Sequence, residues 1–410
     1  MSDILRIFAV ETMRIGSYCE VWRFNLVLES SMKILHVVNI SFVIPYFLGK
    51  QLNYFASKGY EEHIICSPSD ELESFSEEFS FEYKEVPVLR KISVSTDVKA
   101  VLAAARYIRK KKIDVVVGHT PKGGLIAMLA AYICRVPRRI YFRHGLVYET
   151  SKGIKRTLLL NIDRLAALLS TKVVCVSKSV GQRSVEDGLN KPKKQIVLAQ
   201  GTCNGIDTER FAKSNINNDG VDQHRSRLGI DKGDFVIGFA GRMVKDKGII
   251  ELVQAFELLQ AKYTQVKLLL IGQLEERDAL PQDIVESIKN NPGIITTGYV
   301  LNSTIECYYS LMNLFVLPSY REGFPTSVLE ASSMGIPVVT TKATGCIDAI
   351  IEDETGLFVG HTGKELYEAM NRLIENEQLC SSMGEKGRSF VVNNYRQEIV
   401  WNEIEKLYTT

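Results

Sequence analysis

The stretch Pro318 to Glu330, PSYREGFPTSVLE, decides the fold because it joins a predicted strand to a predicted helix. The apolar run before it, Leu314–Leu317, is typical of a strand that is buried on both faces of a parallel sheet. Pro325, just before Thr326, suits the first turn of a helix. Ligands of open α/β sheets bind at such carboxyl strand ends. The stretch therefore predicts a strand, a site-forming loop and a helix.

Two carboxylates bracket this loop, Glu322 and Glu330. Glu330 lies in the second helical turn and leans toward the helix N-terminus, so both side chains can face one ligand. No basic residue stands three or four positions from Glu330, and vicinal sugar hydroxyls would supply the donors that a buried carboxylate needs. The ordinary alternatives are a solvated helical Glu330 and a surface ion pair of Glu322 with Arg321.

The rest of the chain alternates predicted strands and helices from Met32 onward, which predicts doubly wound parallel sheets. A second series follows residues 201–207, so we expect two domains, at 32–205 and 206–395, with a hinge near 200–210. Residues 1–31 fit neither series. Either Met32 is the physiological start, or residues 1–31 form a loosely attached extension.

Composition indicates the compartment and the kind of partner of the 410-residue chain, whose formal net charge is +2. The eight cysteines show no C-x-x-C or metal-type spacing, which indicates a reducing cytosol. No apolar run is long enough to span a membrane. Residues 101–200 hold 20 Lys and Arg against 5 Asp and Glu, which favours an anionic partner, either nucleic acid or anionic lipid, over a merely solvated basic face.

A second motif, GRMVKDKG at residues 241–248, follows the predicted strand Phe235–Ala240. We expect a helix to begin near Asp246, which places Lys247 at a helix N-terminus, where phosphate groups bind. Arg242 at the strand end can approach the same anion with its planar guanidinium group. A surface Lys-Asp-Lys cluster is the alternative.

The first domain offers candidates at two further strand ends, in the segments YFRHG at 141–145 and GHTPKGG at 118–124. A histidine at a carboxyl strand end before glycine favours a site over a structural role, which makes His144 a candidate. His119 ends the preceding strand. The basic residues Lys122 and Arg143 stand beside these histidines, although the glycines could serve only a tight turn.

The pair Glu322 and Glu330, with Gly323-Phe324-Pro325 between them, resembles the E-x7-E element of the retaining glycosyltransferases of family 4, which have the GT-B fold. The order of this element after the G-R-x(4)-K-G segment strengthens the resemblance, which runs from Met32 to the C-terminus. It is most similar to bacterial capsule, exopolysaccharide and O-antigen transferases. The resemblance implies two Rossmann-like domains facing across a cleft, with residues 396–410 crossing back to the first domain.

The resemblance also implies a role for each matching residue. Arg242 and Lys247 would hold the diphosphate of a nucleotide sugar, and Glu330 would bind the ribose hydroxyls. His144 would contact the donor sugar near the reacting carbon. His119, Lys122 and Arg143 would bind the acceptor, the last two through an acceptor phosphate. The remaining donor contacts would come from Glu322 with the backbone of Gly323, Phe324 and Pro325, and from Tyr299 and Val300 at the base. The catalytic group would thus comprise Glu322, His144, Arg242 and Lys247.

The function implied is transfer of a sugar from a nucleotide-diphosphate sugar, expected to be a UDP-sugar, to a lipid-linked saccharide in bacterial surface polysaccharide synthesis. No cofactor or metal is expected, in agreement with the absence of a D-x-D motif. The protein would work in the cytoplasm, peripherally at the inner face of an anionic membrane, without nucleic acid. The alternatives are a nucleotide-sugar epimerase of the same fold and a non-catalytic sugar-binding protein.

One segment departs from the family pattern. Many members have a glycine-rich loop after the first strand, close to the donor phosphates. Residues 39–45 read NISFVIP and contain no glycine before Gly49. The resemblance therefore assigns no firm role to this loop.

Overall fold

The computed structural model describes residues 31–89, 93–276 and 278–410. The predicted extension 1–31 lies outside these residues, apart from Ser31. The described chain forms two parallel β-sheets, each with helices on both faces. This arrangement confirms the predicted pair of doubly wound, Rossmann-like domains.

The first sheet has the strand order β3-β2-β1-β4-β5-β6-β7, and all neighbouring strands are parallel. Its order reverses between β1 and β4, so the loops after these two strands open a crevice at the carboxyl edge. The strands are β1 (Lys33–Val37), β2 (Glu61–Cys66), β3 (Glu82–Glu85), β4 (Val115–His119), β5 (Arg138–Arg143), β6 (Lys172–Cys175) and β7 (Gln195–Ile196).

In the described part of the chain, the helices that accompany this sheet are α1 (Ile44–Phe47), α2 (Lys50–Ser57), α3 (Leu72–Phe79), α4 (Val94–Lys111), α5 (Pro121–Ile133), α6 (Gly153–Leu169) and α7 (Lys178–Glu186). The helical segment between β1 and β2 is divided into α1 and α2. The break falls at Gly49, whose φ is 45°. A Cβ at this position would lie 2.6 Å from the Pro45 carbonyl oxygen, so the bend requires glycine.

The second sheet has the order β10-β9-β8-β11-β12-β13 and is also parallel. Its switch point lies between β8 and β11, the strands that precede the two predicted motifs. The strands are β8 (Phe235–Ala240), β9 (Val266–Ile271), β10 (Ile294–Thr296), β11 (Leu314–Leu317), β12 (Val338–Thr341) and β13 (Gly356–Val359). The helices are α8 (Asn218–Arg227), α9 (Ile249–Lys262), α10 (Gln282–Asn290), α11 (Ile305–Tyr309), α12 (Thr326–Ser333), α13 (Gly363–Ile374), α14 (Glu377–Asn394) and α15 (Gln397–Thr409).

The last helix, α15, packs on the first sheet. Its buried residues Val400, Trp401, Ile404 and Tyr408 share one apolar cluster with residues of β1, β4, β5 and α2. The chain segment entering the second domain runs beside the segment leaving it, since Ile206 and Arg396 form a parallel bridge. Two adjacent segments thus connect the domains. Among the described residues, no helix has both the length and the apolar character needed to cross a bilayer.

Candidate active site

The loops after β8 and β11 form one wall of the cleft. After β8, residues Lys245–Lys247 make a 3₁₀ turn, and α9 begins only at Ile249, three residues later than predicted. Gly248 has a φ of 72°, and a Cβ there would lie 2.2 Å from the Pro318 carbonyl oxygen. Glycine therefore lets the two strand-end loops touch.

Glu322 and Lys247 meet where these loops touch. The Lys247 ammonium group donates to Glu322 Oε1, and the Ser319 hydroxyl donates to the same oxygen at 2.8 Å. Both charged side chains are mostly buried. Arg321 pairs instead with Asp246, at 2.9 Å. The surface pair of Glu322 with Arg321 is therefore absent, and Glu322 is fixed beside Lys247.

Arg242, the other predicted diphosphate ligand, is exposed at the end of β8. Its guanidinium group lies 3.0 Å from Glu275 in the next loop. An exposed pair of this kind contributes little to stability, so the guanidinium group can exchange it for another anion. Arg242 is thus held loosely, whereas Lys247 is held firmly.

Glu330 lies on the second turn of α12, as predicted. It accepts a hydrogen bond of 2.8 Å from the Tyr309 hydroxyl. Burial raises the pKa of Glu330 above its ordinary value, while the Tyr309 bond and the Arg210 charge oppose the rise. Among the described residues Glu330 has no ion-pair partner at salt-bridge distance, so its carboxylate retains capacity to accept hydrogen bonds.

Glu330 lines a cavity of about 640 Å³ between the two domains. The first domain contributes Phe42 and Tyr46, and the second contributes Tyr299, whose ring centroid lies 6.2 Å from that of Phe42. Val300 packs against the core of the second domain instead. Of the two residues expected at the base, Tyr299 alone therefore lines this cavity.

The opposite wall presents His144, directly after β5. The Phe47 ring stacks on the half-buried imidazole, with centroids 3.9 Å apart and planes at 7°. Burial lowers the pKa of His144 to about 3, so the ring is neutral at neutral pH. A Cβ on Gly323 would lie 1.9 Å from the His144 carbonyl oxygen. His144 therefore borders the loop that carries Glu322.

Several polar contacts hold the two walls together beside this point. The Arg321 Nε atom donates to the Thr150 hydroxyl at 2.9 Å, and the Thr344 hydroxyl donates to Glu149 at 2.9 Å. Asp348 of the second domain accepts from the backbone N–H of Ser179 at 2.9 Å. These bonds close the cleft at the His144 side.

Arg143 does not reach the cleft, which corrects the expectation that it binds an acceptor phosphate. The side chain is fully buried. Its Nε and Nη2 atoms donate to Asp163 Oδ1 at 3.0 and 2.6 Å, and Nη1 donates to Asn190 at 2.7 Å. The guanidinium group is committed to the interior because Arg143 is still part of β5.

His119 is corrected for a similar reason. The side chain is buried at the end of β4, and both ring nitrogens face other histidines. One lies 3.0 Å from His36 and the other 2.9 Å from His144. His119 is therefore placed behind His144 and does not face an acceptor.

Lys122, in the first turn of α5, is largely buried and donates to Asp97 of α4. Its predicted acceptor role stays a prediction. The neighbouring glycines serve packing, since a Cβ on Gly124 would lie 2.4 Å from the Tyr141 ring.

Sequence reasoning missed Tyr309, Ser319 and the aromatic residues after β1. No local pattern joins Tyr309 to Glu330, because β11 lies between them. The loop without glycine was the available signal for the aromatic group. It folds into a 3₁₀ turn and the short α1, and it places Phe42 and Tyr46 at the cavity and Phe47 on His144.

The described part of the chain holds no cluster of three or more His, Cys, Asp or Glu side chains arranged to bind a metal ion.

Two family models match the chain. The model of glycosyl transferases group 1 matches residues 220–390, and the model described as glycosyl transferase 4-like matches residues 33–177. Together they cover every strand of the two sheets except β7.

Named relatives match nearly the full length. A capsular polysaccharide biosynthesis glycosyltransferase, CapM, of Staphylococcus aureus is 35% identical over 381 residues, which are 93% of this chain and 97% of that protein. An Escherichia coli UDP-Gal:alpha-D-GlcNAc-diphosphoundecaprenol alpha-1,3-galactosyltransferase is 23% identical, over 93% of this chain and 97% of its own.

Solved structures share the fold. A glycosyltransferase from Rickettsia africae has a TM-score of 0.77 at 19% identity, over 92% of this chain and 98% of its own. HepE from Anabaena, in complex with UDP and glucose, has a TM-score of 0.75 at 18% identity, over 92% of this chain and 100% of its own. The chain therefore belongs to the group 1 and 4-like glycosyltransferases and has the GT-B fold of two Rossmann-like domains.

Proposed function

We propose that the protein is a retaining glycosyltransferase that moves a sugar from a UDP-sugar to a lipid-linked saccharide during assembly of a bacterial surface polysaccharide. The observation that carries the proposal is the second-domain wall of the cleft. Glu322 with Lys247 and Glu330 with Tyr309 are both held at the switch point of the second sheet. Such a point is where α/β folds bind nucleotides.

The donor would lie along this wall. Glu330 accepts hydrogen bonds from the ribose hydroxyls, since Tyr309 occupies only part of its accepting capacity. Tyr299 borders the base. Lys247 and Arg242 bind the diphosphate, and Arg242 gives up its exposed pair with Glu275 to do so. UDP is proposed as the nucleotide because the galactosyltransferase relative is named for UDP-Gal and HepE holds UDP.

The chemical step depends on stabilising the leaving group. Negative charge grows on the diphosphate as the bond to the sugar breaks, and fixed cations such as Lys247 and Arg242 stabilise that charge. The acceptor hydroxyl attacks from the same face, and its proton passes to the departing phosphate oxygen. His144 and Glu322 border the sugar, and the closed loops around them exclude water. No metal or other cofactor is part of the proposal.

A lipid-linked acceptor requires access to a membrane surface, and α6 offers a suitable face. Its exposed apolar residues recur at helical spacing and are Ile154, Leu158, Leu165 and Leu168. The side chain of Ile154 is 89% exposed. Lys152 and Lys155 flank the first turn and are exposed. Basic residues beside an apolar stripe suit an anionic interface. We therefore propose peripheral binding at the inner face of the cytoplasmic membrane.

The test combines nucleotide binding with product analysis. Calorimetric titration with UDP compares wild type with Glu330→Gln, for which we expect binding about ten- to a hundredfold weaker, because charge-assisted hydrogen bonds to ribose are lost. Transfer is measured with a panel of UDP-sugars and a lipid-diphosphate-linked saccharide. The anomeric configuration of the product, determined by NMR, decides between retention and inversion.

Three results would contradict the proposal. Unchanged UDP binding by Glu330→Gln would show that the nucleotide does not bind at Glu330. Conversion of the nucleotide sugar without any acceptor would favour an epimerase. Equal affinity for free sugar and nucleotide sugar would favour a non-catalytic binding protein.

A further inference from the structure

Four polar side chains lie in a row beneath the cleft, and two hydrogen bonds join the three histidines among them. Glu62 Oε2 lies 3.2 Å from His36 Nε2, on the neighbouring strands β2 and β1. His36 Nδ1 lies 3.0 Å from His119 Nε2 on β4, and His119 Nδ1 lies 2.9 Å from His144 Nε2 after β5. We name this row the histidine relay. It connects a buried carboxyl group to the imidazole at the site.

The inner end of the relay lacks compensation for a negative charge. Glu62 is fully buried, and neither of its oxygens has a properly oriented hydrogen-bond donor among the described residues. Within the same residues no Lys or Arg lies within salt-bridge distance of it. The titratable neighbour from the opposing helix is Tyr408 of α15, which is buried and uncharged at neutral pH.

These surroundings favour the protonated carboxyl group. An ionised carboxylate buried without donors is very costly, and such a group takes up a proton instead. Burial accordingly raises the pKa of Glu62, with His36 opposing the rise. A protonated Glu62 can donate its O–H to His36 Nε2.

The direction of that first hydrogen bond determines all the others. A neutral imidazole has one donor nitrogen and one acceptor nitrogen. Burial lowers the pKa of both His119 and His144, so these rings are neutral. If His36 accepts at Nε2, it donates from Nδ1 to His119, which in turn donates from Nδ1 to His144 Nε2.

We propose that Glu62, His36 and His119 are positioning residues that hold the proton of His144 on Nδ1, so that His144 presents an N–H donor to a sugar oxygen in the cleft. Nδ1 of His144 makes no hydrogen bond within the described part of the chain. An ionised Glu62 would reverse every bond in the relay and leave Nδ1 as an acceptor. Conversion of that state into the proposed one adds one proton at Nδ1 of His144. One proton then moves toward Glu62 along each of the three contacts, and the last of these protons ends on the Glu62 carboxyl group.

The decisive measurement is the tautomer of His144 in the ligand-free protein. Ring ¹⁵N chemical shifts of ¹⁵N-histidine-labelled protein distinguish Nδ1–H from Nε2–H, and His144→Gln identifies the signals. We expect Nδ1–H in wild type. Observation of Nε2–H would overturn the proposal, and it would do so even if every variant failed to fold.

Two variants at the far end of the relay test the role of Glu62. Glu62→Met removes the donor, and we expect the His144 signals to redistribute between the tautomers and kcat to fall up to about tenfold, the worth of one neutral hydrogen bond, with KM little changed. Glu62→Gln is the matched control, because its amide N–H can replace the carboxyl O–H, and it should retain the Nδ1–H signal.

Two outcomes with the variants would also overturn the proposal. One is an unchanged His144 tautomer in Glu62→Met, and the other is an Nε2–H tautomer in Glu62→Gln. The expected change in turnover rests on the proposed function, whereas the tautomer does not. A protein with the expected tautomers but no transferase activity would therefore contradict the function and leave the relay intact.

Discussion

The two walls of the cleft differ in how their side chains are held. On the second-domain wall, the charged groups stand in loops, in a 3₁₀ turn and in the second turn of a helix, beyond the ends of β8 and β11. On the first-domain wall, two of the candidate residues belong to the strands themselves. His119 and Arg143 are the last residues of β4 and β5, and both are buried, whereas His144 follows β5 by one position and borders the cleft.

This difference shows where residue spacing in the sequence predicts a site and where it does not. Successive side chains of a strand point to opposite faces of the sheet, so a shift of one residue moves a side chain from the cleft into the core. A loop after the strand is free of that alternation. Substitutions on the two walls can therefore test this contrast.

Arg143→Met should cause the largest loss of stability. It leaves Asp163 as a buried, uncompensated charge, which typically costs about 3–5 kcal/mol. Because Arg143 lies away from the cleft, kcat of the folded fraction should stay near the wild-type value. Thermal unfolding and active-site-normalised rates measure both effects.

The double variant Arg143→Met with Asp163→Leu is the control, since it removes both charges. We expect it to be more stable than Arg143→Met alone. A normal melting temperature for Arg143→Met, or a large loss of kcat at normal stability, would indicate that Arg143 contacts the substrate.

Lys247→Ala should affect chemistry more than stability. Removing one fixed group that stabilises transition-state charge costs about a hundred- to a thousandfold in kcat. Lys245→Ala, an exposed lysine in the same 3₁₀ turn, is the matched control and should behave as wild type. Equal effects of the two substitutions in steady-state transfer assays would show that Lys247 acts only through the general charge of the turn.

Glu330 should make nucleotide binding sensitive to pH. Because burial raises its pKa, the carboxylate takes up a proton as pH falls through that raised value, and the neutral group accepts ribose hydrogen bonds less well. UDP affinity, measured by calorimetry at several pH values, should therefore fall toward acid in wild type. The UDP affinity of Glu330→Gln should not change with pH over this range. A parallel fall in both proteins would show that a group other than Glu330 titrates.

The raised pKa of Glu330 has the opposite effect on the stability of the fold, which is greater at low pH. A carboxyl group whose pKa is higher in the folded state stabilises the fold most below its unfolded pKa, and this contribution is lost as pH rises through the folded pKa. Glu330→Gln should consequently melt no earlier than wild type at neutral pH.

The smallest expected effect concerns the surface of α6. Each lysine near an anionic membrane contributes about 1 kcal/mol, so Lys152→Glu with Lys155→Glu should weaken binding to anionic vesicles by more than tenfold. Lys386→Glu, an exposed change on α14 of the second domain, is the control. Vesicle sedimentation at two salt concentrations measures the effect, and equal binding to neutral vesicles would count against this surface.

Much of the fold was predictable because its central strands are continuous apolar runs followed by polar loops. The exceptions have physical causes. All four residues of β3 are exposed at the sheet edge, so no apolar pattern marks that strand. The split between α1 and α2 depends on the backbone angle of one glycine. In the site, the spacing of Glu322 and Glu330 carried the prediction, while Tyr309 and Phe47 reach their partners only through tertiary packing.

The position of α15 has a consequence for how the protein is made. The first sheet is synthesised early, but Trp401 and Tyr408, which complete one of its apolar faces, belong to residues 397–409. Until the ribosome has released that segment, Ile34 and Phe55 lack part of their cover. Nascent chains with such exposed apolar surface associate with chaperones or aggregate. The first domain should therefore mature only after the second has been translated, which ties the completion of both halves of the enzyme to a single late event.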